Sequence, residues 1–344
     1  MSKATRSGSA PRERSLRRAY DVRPALDTRA YPRLVRGAAI VVLGALLLAA
    51  PAAQAGRLPG APRCPVFPAD NPWNARVDQL PAHPRSAAIV ASIGADEPVH
   101  PDFGAGRWQG GPIGIPYTVV GRRQRTVPVS FRYADESDRG RYPIPRDAPI
   151  EGGRRSDGDR HVLVVDRDRC VLHELFDAHP VDGGARWRAG SGARFSLRSN
   201  RLRPAGWTSA DAAGLPILPG LARADEARRG VVDHALRMTV RRSRRAFVWP
   251  ARHYASTLTD PDLPAMGERL RLKASFDVSA FPPQARALLR AMQRHGLLVA
   301  DNGSDWFVSG APSPRWDDGQ LRTLRRVRGA DFEVVDTTAM PRPR

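Results

Sequence analysis

Apolar residues in this chain fall in short runs cut by glycine, proline and charged clusters, a spacing that predicts strands rather than long helices. PYTVV (116–120) and VPVSFRY (127–133) flank a basic turn at 121–125. RHVLVVD (160–166) and CVLHELFDA (170–178) are separated by Arg167-Asp168-Arg169 and predict a hairpin with a short loop. HALRMTV (234–240) and AFVWPARHYAS (246–256) flank the turn RRSRR and are expected to pair as adjacent strands. RLRLKASFDV (269–278) alternates charged and apolar groups, as a half-buried strand does. LLVA and WFVSG bracket DNGSD (301–305), where Asn302-Gly303 predicts a two-residue hairpin turn because both residues tolerate positive φ.

Helical periodicity is confined to a few places. Pro282-Pro283 open one strong helix, Leu288, Leu289 and Met292 line one face of it, and Gly296 stands where a C′ glycine belongs. A short helix is expected over 86–93 and a polar one near 318–327. Residues 57–85 hold seven prolines and read as extended chain, with Asn71-Pro72-Trp73-Asn74 packing on the body. Repeats are absent. The pattern predicts one mainly β domain over 86–338, an antiparallel β-sandwich or jelly-roll-like domain with one or two packed helices. An α+β layered fold is the alternative, and 339–344 form a tail.

The N-terminus changes where this domain is expected to work. Residues 1–36 are polar and basic, and an apolar stretch, GAAIVVLGALLLAAPAAQAG, follows at 37–56. Charged region, apolar region and the small residues Ala53-Gln54-Ala55 are the parts of a secretory signal, with cleavage after Ala55. The uninterrupted apolar run ends at Pro51 and falls short of the roughly 17–25 residues a spanning helix needs. A secreted or extracytoplasmic location is therefore expected, with an uncleaved N-terminal anchor as the alternative and the sole route to a membrane. A translation start near Val35 would explain the long basic region.

Charge adds less than its size suggests. The formal net charge is +20, but Lys3 and Lys273 are the only lysines. The arginines are scattered, without a basic helix or an aromatic-glycine RNA signature, so nucleic acid is set aside as a partner. Cys64 and Cys170 are the two cysteines, and export would place them in an oxidising compartment. A disulfide between them is expected to close a loop of about 100 residues, worth roughly 3–5 kcal/mol. A catalytic thiol is the alternative. Neither cysteine has a metal-ligand spacing, and no metal or cofactor is expected.

Candidate chemistry lies in four stretches. In VLHELFDAH (171–179), alternation puts Glu174 on one face with Leu172 and Phe176, where desolvation would raise its pKa and suit it to general acid work. Pairing with an arginine is the bland reading. The two segments around His234-Ala235-Leu236-Arg237 and Arg252-His253-Tyr254, if paired, would gather a base and cations of the kind a polysaccharide lyase needs for a uronate. A hydrolase would need two carboxylates instead. In WTSADAAGLPILPGL (207–221), Trp207, Thr208, Ser209 and Asp211 precede a Gly/Pro-rich loop that reads equally as a lid or as packing. Thr208 or Ser209 could cap a short helical turn there. No GxSxG surrounds any serine, which leaves a serine hydrolase unsupported. An EF-type calcium loop at DNGSD is excluded, because its third position is glycine and its twelfth would be Pro312. Asp301, Asn302 and Asp305 beside an exposed Trp306, with Trp316 beyond, would instead suit sugar rings and hydroxyls. A plain surface hairpin with a buried Trp306 is the alternative.

HALR, WPARHYAS, RLKASFDVS and LLVADNGSDWFVSGAP together resemble a family of secreted proteins of actinobacteria and other soil bacteria that has no assigned activity. The resemblance covers about residues 64–338. It implies export and a single domain, and it carries over no catalytic residues. The expectation is an extracytoplasmic carbohydrate-active protein, a hydrolase or lyase of a cell-wall or environmental polysaccharide. Glu174, His234, His253 and Asp301 are the catalytic candidates, and Arg237, Arg252, Tyr254, Asn302, Asp305 and Trp306 the substrate contacts. A glycan-binding surface protein without catalysis is the alternative.

Overall fold

The computed structural model describes residues 56–343, so the expected signal sequence and anchor lie outside the described residues. The fold is mainly β. One four-stranded sheet runs in the order Ser191–Ser196, Val171–Phe176, Val162–Asp166, Tyr117–Val120. Every residue of Val162–Asp166 is buried, because the sheet is covered on both faces. Val162 and Val164 pack with Tyr142 and Trp187 of a second four-stranded sheet, ordered His179–Val181, Arg186–Ala189, Val127–Phe131, Arg141–Tyr142. Leu163 and Val165 face the opposite way, onto Leu58, Ile217, Leu218 and Leu221. This two-layer packing is the sandwich expected from the strand pattern.

A six-stranded sheet completes the domain, in the order Phe332–Val334, Arg269–Leu272, Leu297–Asn302, Leu236–Val240, Phe307–Ser309, His100–Asp102. Helices α1 (Ser86–Ile93), α2 (Ala224–Arg229), α3 (Pro283–Arg294) and α4 (Asp318–Arg322) supply much of its apolar cover. α3 ends as expected, with Gly296 at φ +74. The NPWN segment also behaves as expected: Trp73 is buried in this core, and Ala235 N–H donates to its carbonyl at 2.7 Å.

PYTVV and VPVSFRY are strands, as expected, and belong to separate sheets. Two local expectations fail for one reason, which is that long connections let sequence neighbours go to different places. The segment 246–256 is mostly irregular, with one isolated bridge from Phe247 to Met266, and it does not pair with Leu236–Val240. DNGSD is not a hairpin turn. Leu297–Asn302 lies parallel on one side of Leu236–Val240 and Phe307–Ser309 antiparallel on the other, so Asp301 and Asn302 end one strand and the residues after them cross over the end of the strand between. Gly303 donates its N–H to Val240 O at 2.9 Å, and a Cβ there would stand 3.0 Å from Thr239 Cβ. Glycine is required by close approach rather than by positive φ.

Cys64 and Cys170 form the expected disulfide across 106 residues of sequence. Among the described residues no helix is long and apolar enough to cross a membrane.

Candidate active site

The chemistry-bearing residues meet where the sandwich adjoins the six-stranded sheet. Arg237 is placed by the Leu236–Val240 strand, and Asp301 by its parallel neighbour. A register shift between Met238 and Thr239 sets Asp301 opposite Thr239, hence on the same face as Arg237 two residues earlier. The loop carrying Asp211 is held by its own polar groups. Ser209 Oγ accepts from Asp211 N–H at 2.9 Å, and Ala213 O accepts from the backbone N–H groups of Arg252 and His253. The ADAAG segment is therefore a pinned turn rather than the helical turn expected from its sequence.

Arg237 clamps Asp211 with two groups, Nε to Oδ2 at 2.8 Å and Nη2 to Oδ1 at 2.5 Å. It also donates to Ser309 Oγ at 2.6 Å and reaches Asp301 Oδ2 at 3.4 Å. Burial works against its charge, but the Asp211 carboxylate outweighs burial and holds the guanidinium firmly protonated. Asp301 is affected in the opposite sense. Burial and the adjacent Asp211 carboxylate push its pKa well above the usual aspartate range, outweighing Arg237. Asp301, packed beside the Arg237-clamped Asp211, therefore favours its protonated form.

His161 opens the buried Val162–Asp166 strand and is itself 1% exposed. Its Nδ1 lies 2.6 Å from Glu151 Oε2, and its Nε2 lies 3.1 Å from Ala210 O. Burial alone would strip its proton, yet the Glu151 charge prevails and lifts its pKa to about 10. Burial would likewise raise Glu151, but the His161 imidazolium outweighs it and holds that carboxyl below the usual range. Glu151 Oε2 accepts from both His161 N–H and Nδ1–H, so Oε1 is the oxygen left for a ligand.

Two clefts open on this network. The larger, about 860 Å³, is lined by Asp102, Glu151, Asp157 and Asp159 together with His100, Trp108, Arg155, Phe307 and Arg325. Asp102 is open to solvent at the end of its strand, though protein crowds it on most sides. That crowding, with the charge of Glu151, raises its pKa. The smaller cleft, about 380 Å³, is lined by Tyr133, Glu136, Thr208, His253, Asp301 and Asn302 among others. Asp159 belongs to both clefts.

His161, Asp211 and Asp301 bring one ligand-type atom each within 4.8 Å of one another. Those atoms are committed elsewhere. Both ring nitrogens of the protonated His161 donate hydrogen bonds, and Asp211 is neutralised by Arg237, so the set reads as a proton-holding network rather than a cation site.

The residues singled out in the sequence divide sharply. Asp301, His253 and Asn302 share the smaller cleft. Ala212 O accepts from His253 Nδ1–H at 2.8 Å, which leaves Nε2 toward the cleft, 3.8 Å from Glu136 Oε2. Arg237 is part of the network, but Asp211 occupies it and it is buried, so it does not reach a substrate carboxylate. Glu174 is fully buried and lines neither of these two clefts. Its carboxyl accepts from Ile217 and Leu218 N–H at 2.9–3.0 Å, and burial raises its pKa to about 7. His234 lies apart, bonded to Glu226 at 3.0 Å in a buried group that Arg223 completes. Arg252 donates to Arg203 O, and Asp305 accepts from Arg241 N–H, both as loop ties. Tyr254 stacks against His253 and lines an adjoining hollow that shares Ala255 and Asn302 with the smaller cleft. Trp306 corrects the expectation of an exposed sugar platform. It is 0% exposed, packs on Phe332 and donates Nε1–H to Gly94 O at 2.8 Å. Trp316 is buried too, with Nε1–H on Ala311 O.

Asp102, Glu151, Asp159 and His161 carry no spacing signal in the sequence. The one available clue was a histidine heading a continuous apolar strand, VLVV, where a buried polar group demands a partner. No family model matches the chain, and neither does a curated protein or a solved structure.

Proposed function

We propose that this is an extracytoplasmic glycoside hydrolase of the exported type that the sequence resembles, with its acid/base pair in the larger cleft. One observation carries the reading: two carboxyls line the same cleft, and their surroundings push their pKa values apart. Asp102, raised, is the general acid and Glu151, lowered, the general base. Glu151 Oε1 takes a proton from water as its oxygen attacks the anomeric carbon. Asp102 gives its proton to the glycosidic oxygen as the carbon–oxygen bond breaks. His161 positions Glu151 and keeps it ionised. A lyase is less well served, because the cation it would need, Arg237, is already engaged by Asp211.

The test uses the full chain against a panel of uncharged and uronic polysaccharides, reading new reducing ends and unsaturated uronate separately. New reducing ends without unsaturation are expected. Glu151→Gln and Asp102→Asn should each lower the rate about 10²–10⁴-fold. Glu151→Gln should also lower the melting temperature, because it strips the buried His161 of its partner, and Asp102→Asn should not. The rate should peak on the acid side of neutrality, falling at low pH as Glu151 takes a proton and at high pH as Asp102 loses one. Glycan binding without turnover would return the protein to the class of non-catalytic surface binders. A second reading comes from the proton on Asp301: if Asp301→Asn abolishes turnover and Asp102→Asn does not, the acid belongs to the smaller cleft.

A further inference from the structure

We infer that the two clefts form one groove holding a chain of several uncharged sugars, so that the substrate is a neutral polysaccharide cut within its length. The inference rests on the hydrolase reading for the cutting but not for the holding.

Asp159 lines both clefts, so the two adjoin at this residue. Each cleft alone has the roughly 300–1,000 Å³ of a small-molecule site. A monosaccharide would need only one of them. The exposed aromatics point the same way. Among the described residues four large hydrophobic side chains stay well exposed: Trp108 at 71%, Tyr133 at 44%, Val231 and Leu258. The two aromatic ones line one cleft each. Trp108 stands on a two-residue hairpin, Arg107–Trp108 against Gly111–Pro112, and at that exposure adds little to the core. The Arg132 guanidinium lies 5.4 Å from the centre of the Tyr133 ring, and the ring remains half open. Indole and phenol faces stack on the C–H faces of sugar rings, while carboxylates and amides between them accept hydroxyl protons.

Charge selects the class of polymer. Glu151, Asp157 and Asp159, besides the protonated Asp102, line the larger cleft against Arg155, Arg325 and a neutral His100, whose proton burial and Arg325 disfavour. A uronate chain would run its carboxylates along an acidic wall, and an uncharged chain meets no such penalty.

Affinity electrophoresis of the full chain in gels containing soluble glucan, xylan, mannan, galactan or arabinan, with pectate as the anionic control, tests this. At least one uncharged polymer should retard the protein at high salt, and pectate should not once salt has screened the protein's net positive charge. Trp108→Ala and Tyr133→Ala should each weaken that retardation roughly three- to ten-fold. Neither should change the melting temperature, since both side chains are exposed. Glu151→Gln should keep full binding. Retardation by pectate alone, no retardation by any uncharged polymer, or unchanged affinity in both aromatic variants would overturn the groove. If Glu151→Gln stops turnover while the aromatic variants bind as before, the groove fails and the hydrolase stands. Lost binding in those variants with no turnover in any sample would leave the groove and remove the hydrolase.

Discussion

Glu174 and Glu151 show how differently two buried carboxyls can be used. Glu174 rests on two backbone N–H groups at the start of a 3₁₀ turn, yet burial dominates and its pKa rises to about 7. The folded state therefore prefers the protonated form. That contribution to stability is complete below the ordinary carboxyl value, about 4.5, and is lost as pH climbs through about 7. Glu174→Gln keeps an oxygen for Ile217 N–H and cannot ionise. Its melting temperature relative to wild type should therefore improve steadily from pH 4.5 to 7, and a pH-independent difference would refute the assignment. Asp301 was singled out in the sequence as a carboxylate beside a tryptophan, and Arg237 as a cation beside a histidine. Asp102, Glu151 and Asp159 sit at a strand end or in irregular chain, where no periodicity marks them, and only the tertiary path brings them to one place.

The element with the most influence on the site is the Leu236–Val240 strand, flanked by the two runs that bracket DNGSD. Those runs were legible as strands, since each is short, apolar and rich in β-branched or aromatic residues. Their pairing was not legible. A turn signal such as Asn-Gly reports local backbone freedom, and the strand that enters between its neighbours comes from sixty residues upstream. Trp306 closes that crossing at φ +59, a conformation a bulky side chain seldom adopts, and burial against Phe332 and Gly329 holds it there. Trp306→Ala should cost about 3–5 kcal/mol in denaturant unfolding. Trp306→Phe keeps most of the apolar contact and loses the bond to Gly94 O, which costs about 1–2 kcal/mol. Neither change should weaken glycan retardation selectively. A Trp306→Phe variant with full stability and lost binding would restore the platform role.

At the scale of the whole molecule, the arginine excess serves the fold as carbonyl ties. Arg203 donates to Thr208 O and Glu136 O, and Arg271 to Val77 O and Leu80 O. Arg269 and Arg160 bond backbone carbonyls in the same way. A guanidinium offers five donors, so one side chain can satisfy several loop carbonyls that no strand or helix reaches. Composition alone could not reveal this use. The disulfide was legible, because two cysteines in a chain read as exported have few other roles. It ties the proline-rich entry segment to the sandwich. Replacing both cysteines with serine should lower unfolding stability by about 2–5 kcal/mol, and an unchanged midpoint would show the tie to be idle.

The pairing of His100–Asp102 with Phe307–Ser309 joins residues about two hundred positions apart, and Glu151 reaches the same cleft from the sandwich. A chain emerging from its N-terminal end would carry Asp102 long before the strand that seats it exists. The larger cleft is thus a late product of folding, built from parallel, distant contacts of the kind that form slowly. A chain interrupted before residue 309 could complete its disulfide and the sheet around Val162–Asp166. It would still lack the edge on which Asp102 is seated.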